Sequence, residues 1–311
     1  MEHVFYLILG LVILVFGGEC LVKGSVALAM RMKVSMVVIG LTVVSFATSA
    51  PELIVSVYSA LTGHPDMAIG NVIGSNIANI SLVLGLTALL FPLAFQQRLY
   101  RFDIPVMLFA SLLFGVFLYT NSTLDSWEGL VFVSILFMLT FYMIRRSRKE
   151  EKLKQVIEKD KLSLSKLMIY LTVGATCLYF GSRFLVDGAS GLARMMGLSE
   201  RVISVSIVAF GTSVPELAAS IIAAIKKEKD LSIGNLIGSN IFNVFAVLGL
   251  TSIISPIQVV DQSLISNDIW WMFAVSLLLY PIMFLFHREH IGRVEGALLL
   301  FVYVSYIYFL F

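Results

Sequence analysis

"TSAPEL" occupies residues 48–53 and "TSVPEL" residues 212–217, and the spacing between these two copies decides how the whole chain is read. Sliding the sequence by 164 residues lays one on the other and brings much else into register. "FGGECLVKGSVALA" (16–29) falls on "FGSRFLVDGASGLA" (180–193), "IGNVIGSNI" (69–77) on "IGNLIGSNI" (233–241), and "VLGLT" (83–87) on "VLGLT" (247–251). A constant offset from residue 16 to residue 87, with no gap, marks an internal duplication. Each copy sets a proline beside a glutamate inside an otherwise apolar stretch. A membrane-spanning helix wants neither residue, so the pair needs a reason.

The surroundings are those of a membrane protein. The 311 residues are 59% apolar and only 14% charged, with a mean hydropathy of +0.93, whereas soluble domains carry about 25% charge. Apolar runs long enough to cross a bilayer recur near 4–24, 35–60, 69–91, 103–120, 127–145, 167–187, 202–225, 232–254, 269–286 and 294–311. The first lacks the short apolar core and small-residue cleavage site of a leader, and is expected to stay as a helix. The composition predicts an all-α polytopic membrane protein of ten transmembrane helices.

Charge placement orients it. With the N-terminus outside, one set of loops collects 19 of the 22 Lys and Arg residues, including Lys23, Arg31, Lys33, Arg98, Arg101 and Lys226. The opposite loops keep only Arg183, Arg194 and Arg201. Basic loops stay in the cytoplasm, so both termini are expected outside the cell (inner) membrane. Five spans per half is an odd number, so the second half enters the membrane from the other side. The expected organisation is a first five-helix repeat (1–144), a cytoplasmic connector (145–166, "RRSRKEEKLKQVIEKDK" and its flank) and a second, inverted repeat (167–311). The duplicated cores lie at about 40–90 and 204–254. Inverted repeats with broken helices at the midplane are the mark of secondary transporters. A cation channel is a more remote reading, because it needs a continuous pore and usually a ring of filter residues.

The proline–glutamate pairs now have a use. Pro51 and Pro215 have no N–H to give, so each is expected to break its helix and leave backbone oxygens bare. Bare carbonyls at membrane depth are tolerated only against protein or a polar cavity. Around each break stand two hydroxyls and a carboxylate: Thr48, Ser49 and Glu52, then Thr212, Ser213 and Glu216. The segments "GNVIGSNIAN" and "GNLIGSNIFN" add Ser75 and Asn79, and Ser239 and Asn243. Within each pair the residues are four apart and so share one helix face. All of these donors are oxygens, which suits Na⁺, K⁺, Ca²⁺ or Mg²⁺ rather than soft metals. Asn71, Asn76, Asn235 and Asn240 are read either as further ligands or as helix-packing groups. Two carboxylates balance one divalent cation. Without it they repel each other, which keeps a proton-coupled exchanger open as an alternative.

Other features carry less. Cys20 and Cys177 fall inside spans and are read as plain buried thiols. "HREH" (287–290) lacks the spacing of a zinc-protease helix, and "NST" (121–123) is too short a match to carry a glycosylation site. Glu19 and Lys23, four apart, are expected to pair at a helix end. Nothing suggests an enzyme, a cofactor, a nucleic-acid partner or an obligatory protein partner. The expected surroundings are the lipid bilayer and the transported ions.

On the paired motifs "TSAPEL…GNVIGSNIAN" and "TSVPEL…GNLIGSNIFN" the chain resembles the sodium/calcium exchangers of the calcium:cation antiporter superfamily. It is most similar to the short prokaryotic type, with ten helices and no large regulatory loop. The resemblance implies Ca²⁺ held by Glu52 and Glu216 with the backbone oxygens of Thr48 and Thr212. It implies Na⁺ sites sharing those glutamates and adding Ser49, Ser75, Ser213 and Ser239, with carbonyls at Ser45 and Ala209. It also implies three Na⁺ against one Ca²⁺, hence electrogenic exchange, and a sliding pair formed by the first and sixth spans. Two departures stand out. Asn243 replaces an Asp found in some relatives, K⁺-dependent exchangers among them, which argues against K⁺ dependence. Ala47 stands where the family usually has Gly. The "GNxxE" pattern of the proton/calcium branch is absent.

Overall fold

The computed structural model describes residues 2–152, 162–197, 209–285 and 290–310. Part of the expected connector (153–161), the start of the seventh expected span (202–208) and most of "HREH" lie outside the described residues. The helices are α1 (Glu2–Met32), α2 (Met36–Thr48), α3 (Ala50–Leu61), α4 (Pro65–Leu90), α5 (Leu99–Asn121), α6 (Ser126–Lys152) and α7 (Leu164–Met195). They continue as α8 (Ala209–Gly211), α9 (Val214–Ile225), α10 (Lys229–Ile254), α11 (Leu264–Phe284) and α12 (Arg293–Leu310). Among the described residues, seven helices are long and apolar enough to span a bilayer, or eight if α2 and α3 count as one bent span. Contacts divide the chain into two compact units, each drawing on both halves of the sequence.

One unit comprises Met1–Thr48 and Ile144–Asn235. Its frame is the antiparallel pair of α1 and α7, whose contact runs on glycine. Gly10, Gly17 and Gly24 recur every seven residues on α1, and Gly174, Gly181 and Gly188 do the same on α7. Gly10 faces Leu185, Gly17 faces Leu178 and Gly24 faces Leu171, the partner number falling as the α1 number rises. A Cβ at Gly174 would sit 2.6 Å from the backbone nitrogen of Leu21, and one at Gly188 would sit 2.5 Å from that of Leu7. Only glycine lets two backbones meet so closely, and such contact replaces the hydrophobic drive that lipid removes. Glu19 pairs with Lys226 at 2.8 Å, while Lys23 donates to the Tyr170 hydroxyl. The expected Glu19–Lys23 pair is therefore corrected. Neighbouring helices offered both side chains better-placed partners than their own turn did.

The other unit comprises Ser49–Met143 and Leu236–Phe311. Here α4 and α10 are the most enclosed spans, 78% and 83% buried over their apolar windows, against 22% for α6. Matching π-helical turns interrupt both at matching places, Asn79–Leu84 and Asn243–Leu248. A second matched pair, Leu99–Asp103 and Leu264–Asp268, opens α5 and α11. A π turn carries one residue more than an α turn and recurs at functional sites. Two-residue strands close the loops crosswise. Leu93–Ala94 pairs with His290–Ile291, and Thr123–Leu124 with Ile257–Gln258. Glu128 and Glu295 cap α6 and α12 by accepting the backbone N–H groups of Asp125 and Gly292. Exposed Phe109, Leu112, Val116 and Tyr119 lie along one face of α5, as a lipid-facing surface requires.

Gly174→Ala should lower stability by about 1–3 kcal/mol, since backbone rather than a pliable side chain blocks the new methyl. Gly74→Ala, with nothing within 4 Å of the added carbon, should be neutral or mildly stabilising. Thermal unfolding of the purified proteins in detergent checks the contrast. Equal midpoints would remove the close-approach argument.

Candidate cation-binding site

Both proline–glutamate motifs break their helices in the same way. Ser49 lies between α2 and α3 at φ −85°, ψ 6°, and Ser213 lies just before α9 at φ −87°, ψ 1°. These near-identical values fall in the sparsely allowed bridge region between helix and strand. Across the first break the chain turns by 45°. Each proline sits in the first turn of the helix that follows, where its missing N–H costs nothing. The breaks thus fall two residues ahead of the prolines. Glu52 and Glu216 share that first turn and are fully buried. There the exposed N–H groups of a helix start favour a carboxylate.

Burial of an acid alone does not mark a site here, because the described residues hold other buried acids at span ends. Glu128 and Glu295 are caps, Asp103 pairs with Arg98 at 3.4 Å, and Asp268 accepts from Asn267. What separates Glu52 and Glu216 is a place beside a helix break, among hydroxyls and amides. An isolated charge near the bilayer centre costs about 2.5–3.5 kcal/mol even on insertion scales.

In the unit containing α2 and α9, Thr48 and Ser45 lie buried with Asn235. The Thr48 hydroxyl donates to Asn235 Oδ1 at 3.1 Å, and Asn235 Nδ2 donates to Ser220 Oγ at 3.1 Å. The Ser45 hydroxyl lies 2.7 Å from the Gly40 carbonyl and 2.9 Å from that of Asn235. Ser213 is fully buried and its hydroxyl has no protein partner among the described residues, while Thr212 is half-buried. Ala209 opens the short helix α8, so its carbonyl belongs to the turn just before the break.

In the other unit Ser75 donates to Glu52 Oε1 at 3.5 Å, which brings together two residues expected at the site. Asn71 Nδ2 reaches the Glu52 carbonyl at 3.3 Å and Ser56 Oγ at 3.0 Å. Ser49, Ser239, Asn79 and Asn243 are also buried. Neither polar atom of the Asn79 side chain has a protein partner among the described residues, and Asn243 Oδ1 is likewise unbonded. A buried amide without partners costs about 1–3 kcal/mol unless an ion or water meets it.

The amides of Asn71 and Asn235 are taken up in bracing. Each ties a Glu-bearing helix through the serine four residues after the glutamate, Ser56 after Glu52 and Ser220 after Glu216. The reading of the motifs passed over both serines. Their signal was present, since they share the glutamate's face and repeat at the same offset as the motifs.

The sequence profile of sodium/calcium exchanger proteins matches residues 2–145 and 166–311. The chain belongs to the sodium/calcium exchanger family. It is 38% identical to CaxA of Alkalimonas amylolytica, over 98% of each chain. It is 32% identical to the sodium/calcium exchanger MaX1 of Methanosarcina acetivorans, over 98% of this chain and 97% of that one. A solved structure of the sodium–calcium exchanger NCX_Mj, soaked with zero Na⁺ and Ca²⁺, matches with a TM-score of 0.84 and 31% identity, covering 98% of both chains. The fold is therefore that family's ten-helix architecture of two inverted five-helix repeats, and this family member is an integral membrane transporter rather than an enzyme.

Asn235→Leu and Asn71→Leu should each lower stability by about 1–3 kcal/mol, because each removes two hydrogen bonds, those of Asn235 with Thr48 and Ser220 and those of Asn71 with Ser56 and the Glu52 carbonyl. Thermal midpoints in detergent report the loss. Unchanged midpoints for both would show that the braces contribute nothing.

Proposed function

We propose that this protein exchanges Na⁺ for Ca²⁺ across the cell membrane by alternating access. The carrying observation is the matched pair of helix breaks. Each has the same backbone geometry and sets a fully buried glutamate beside hydroxyls, in two repeats of opposite topology. A site that must face both sides in turn is served by two equivalent half-sites entering from opposite sides. Family membership and the names borne by MaX1 and NCX_Mj support the choice of ions.

In this reading Glu52 and Glu216 supply the two charges that balance Ca²⁺, with the Thr48 and Thr212 carbonyls completing its oxygen shell. Na⁺ takes the same carboxylates, with Ser49, Ser75, Ser213 and Ser239, the carbonyls of Ser45 and Ala209, and the amide oxygens of Asn79 and Asn243. Sharing the glutamates makes the two ions competitors, and that competition is the coupling. Three Na⁺ against two carboxylates leave one positive charge, whereas one Ca²⁺ leaves none, so each cycle moves charge. Helix breaks suit this work because the carbonyl end of one half-helix attracts a cation, while the following helix start holds the glutamate. The repeats run over 1–144 and 167–311 around a cytoplasmic connector, with both termini outside. The clustering of Lys and Arg supports that orientation.

Proteoliposome uptake of ⁴⁵Ca²⁺, driven in turn by outward Na⁺, K⁺ and pH gradients, tests the proposal. Uptake with Na⁺ alone is expected, saturable and accelerated by a K⁺ shunt that relieves the inside-negative potential left when three Na⁺ leave for each Ca²⁺ that enters. Uptake with the pH gradient alone would move the function to proton coupling. Glu52→Gln and Glu216→Gln should each abolish uptake while leaving a folded protein. Substantial transport by both would sink the proposed ligands. Asn243→Asp should change the preference among cations by adding a charge, and unaltered selectivity would place Asn243 away from the ions.

A further inference from the structure

Four asparagines, Asn76, Asn79, Asn240 and Asn243, lie on α4 and α10 within one compact unit, all at most 1% exposed. Two of them clasp the helices reciprocally. Asn76 Nδ2 donates to the Asn240 carbonyl at 3.3 Å, and Asn240 Nδ2 donates to the Asn76 carbonyl at 3.1 Å. Each nitrogen also lies 3.5 Å from a methionine sulfur, Met272 for Asn76 and Met107 for Asn240. To this point the arrangement is symmetric. With both nitrogens anchored on backbone carbonyls, the side-chain oxygens of Asn76 and Asn240 must point the other way.

Symmetry then stops. Asn76 Oδ1 accepts a hydrogen bond from Asn243 Nδ2 at 3.1 Å. The equivalent bond in the other repeat, from Asn79 to Asn240 Oδ1, is not made, and both of those groups lack a protein partner among the described residues. An amide has one accepting and one donating edge, and a cation tolerates only the first. Fixing the nitrogen of Asn243 therefore fixes which edge it offers elsewhere. Its oxygen is the edge left without a protein partner among the described residues.

We infer that Asn76 is a positioning residue, which holds the Asn243 amide nitrogen and so turns the Asn243 oxygen toward the transported cations. The orientation passes from the Asn240 carbonyl through Asn76 to Asn243. Asn79 has no such guide among the described residues, so the central amides of the two repeats are not equivalent. This inference rests on the reading of Asn243 as a cation ligand.

The near-symmetry supplies its own control. Asn76→Ala and Asn240→Ala each remove one amide-to-carbonyl bond and one amide–sulfur contact, but only the first releases Asn243. In proteoliposome exchange, Asn76→Ala is expected to raise the half-saturating Na⁺ concentration about tenfold, the low end for a hydrogen bond serving a charged group. Asn240→Ala should stay within about twofold of the parent, since no cation ligand depends on its oxygen. Adding Asn76→Ala to Asn243→Ala should change nothing further, because the guide has lost what it guides. Equal shifts from Asn76→Ala and Asn240→Ala would overturn the inference and leave a purely structural clasp. If Asn243→Ala itself leaves Na⁺ and Ca²⁺ half-saturation unchanged, the ligand reading fails, and the inference with it. Asn76→Leu and Asn240→Leu, which refill the volume, give the same comparison if the Ala pair does not fold.

Discussion

Everything in this protein depends on one constraint: a bilayer core supplies no water to a broken helix or to a carboxylate. Each interruption at that depth has to be satisfied by protein groups or by what the protein carries. The chain accepts the burden at two matched places and meets it locally. Asn71 and Asn235 brace the Glu-bearing helices through Ser56 and Ser220, and Ser75 reaches the Glu52 carboxylate. Some oxygens, those of Ser213, Asn79 and Asn243 among them, have no protein partner among the described residues. In a soluble core such groups would be defects. In the proposed exchange they are the groups offered to the cations.

The scaffold divides its labour between two kinds of contact. Glycine lines the α1–α7 contact, where backbones meet over a smooth, directionless surface. Asparagine lines the α4–α10 contact, where reciprocal amide bonds define one register. Close approach of backbones joins α1 to α7, whereas directional hydrogen bonds join α4 to α10.

Duplication explains why the same devices come in pairs: two breaks, two braces, matched π turns and two capping glutamates. It also makes the exceptions informative. Asn243 is held by Asn76, while Asn79 is held by nothing among the described residues. Two repeats with the same four asparagines differ in how those amides are bonded. Such divergence lets two half-sites of one ancestry present different ligands.

Much of this was legible in the residues. The offset of 164 between "TSAPEL" and "TSVPEL", the odd number of spans in each half and the clustering of Lys and Arg are properties of composition and order. They depend on hydrophobicity and charge, which a residue carries wherever it goes. Glu52 and Glu216 stood out for the same reason, because an acid beside a proline in an apolar span is costly in any fold. Other features had to wait for the tertiary structure. Local spacing suggested Glu19 with Lys23, yet the chain's folding brought Lys226 nearer. Sequence left Asn71, Asn76, Asn235 and Asn240 between ligand and packing roles. The structure gives their amide nitrogens protein partners, Ser56 and the Glu52 carbonyl for Asn71, Ser220 for Asn235 and each other's backbone carbonyls for Asn76 and Asn240. An amide can donate or accept in any direction, and sequence does not say which neighbour will occupy which edge. Order along the chain determined where charge and breaks would fall, and only packing between helices decided which oxygens would find protein partners.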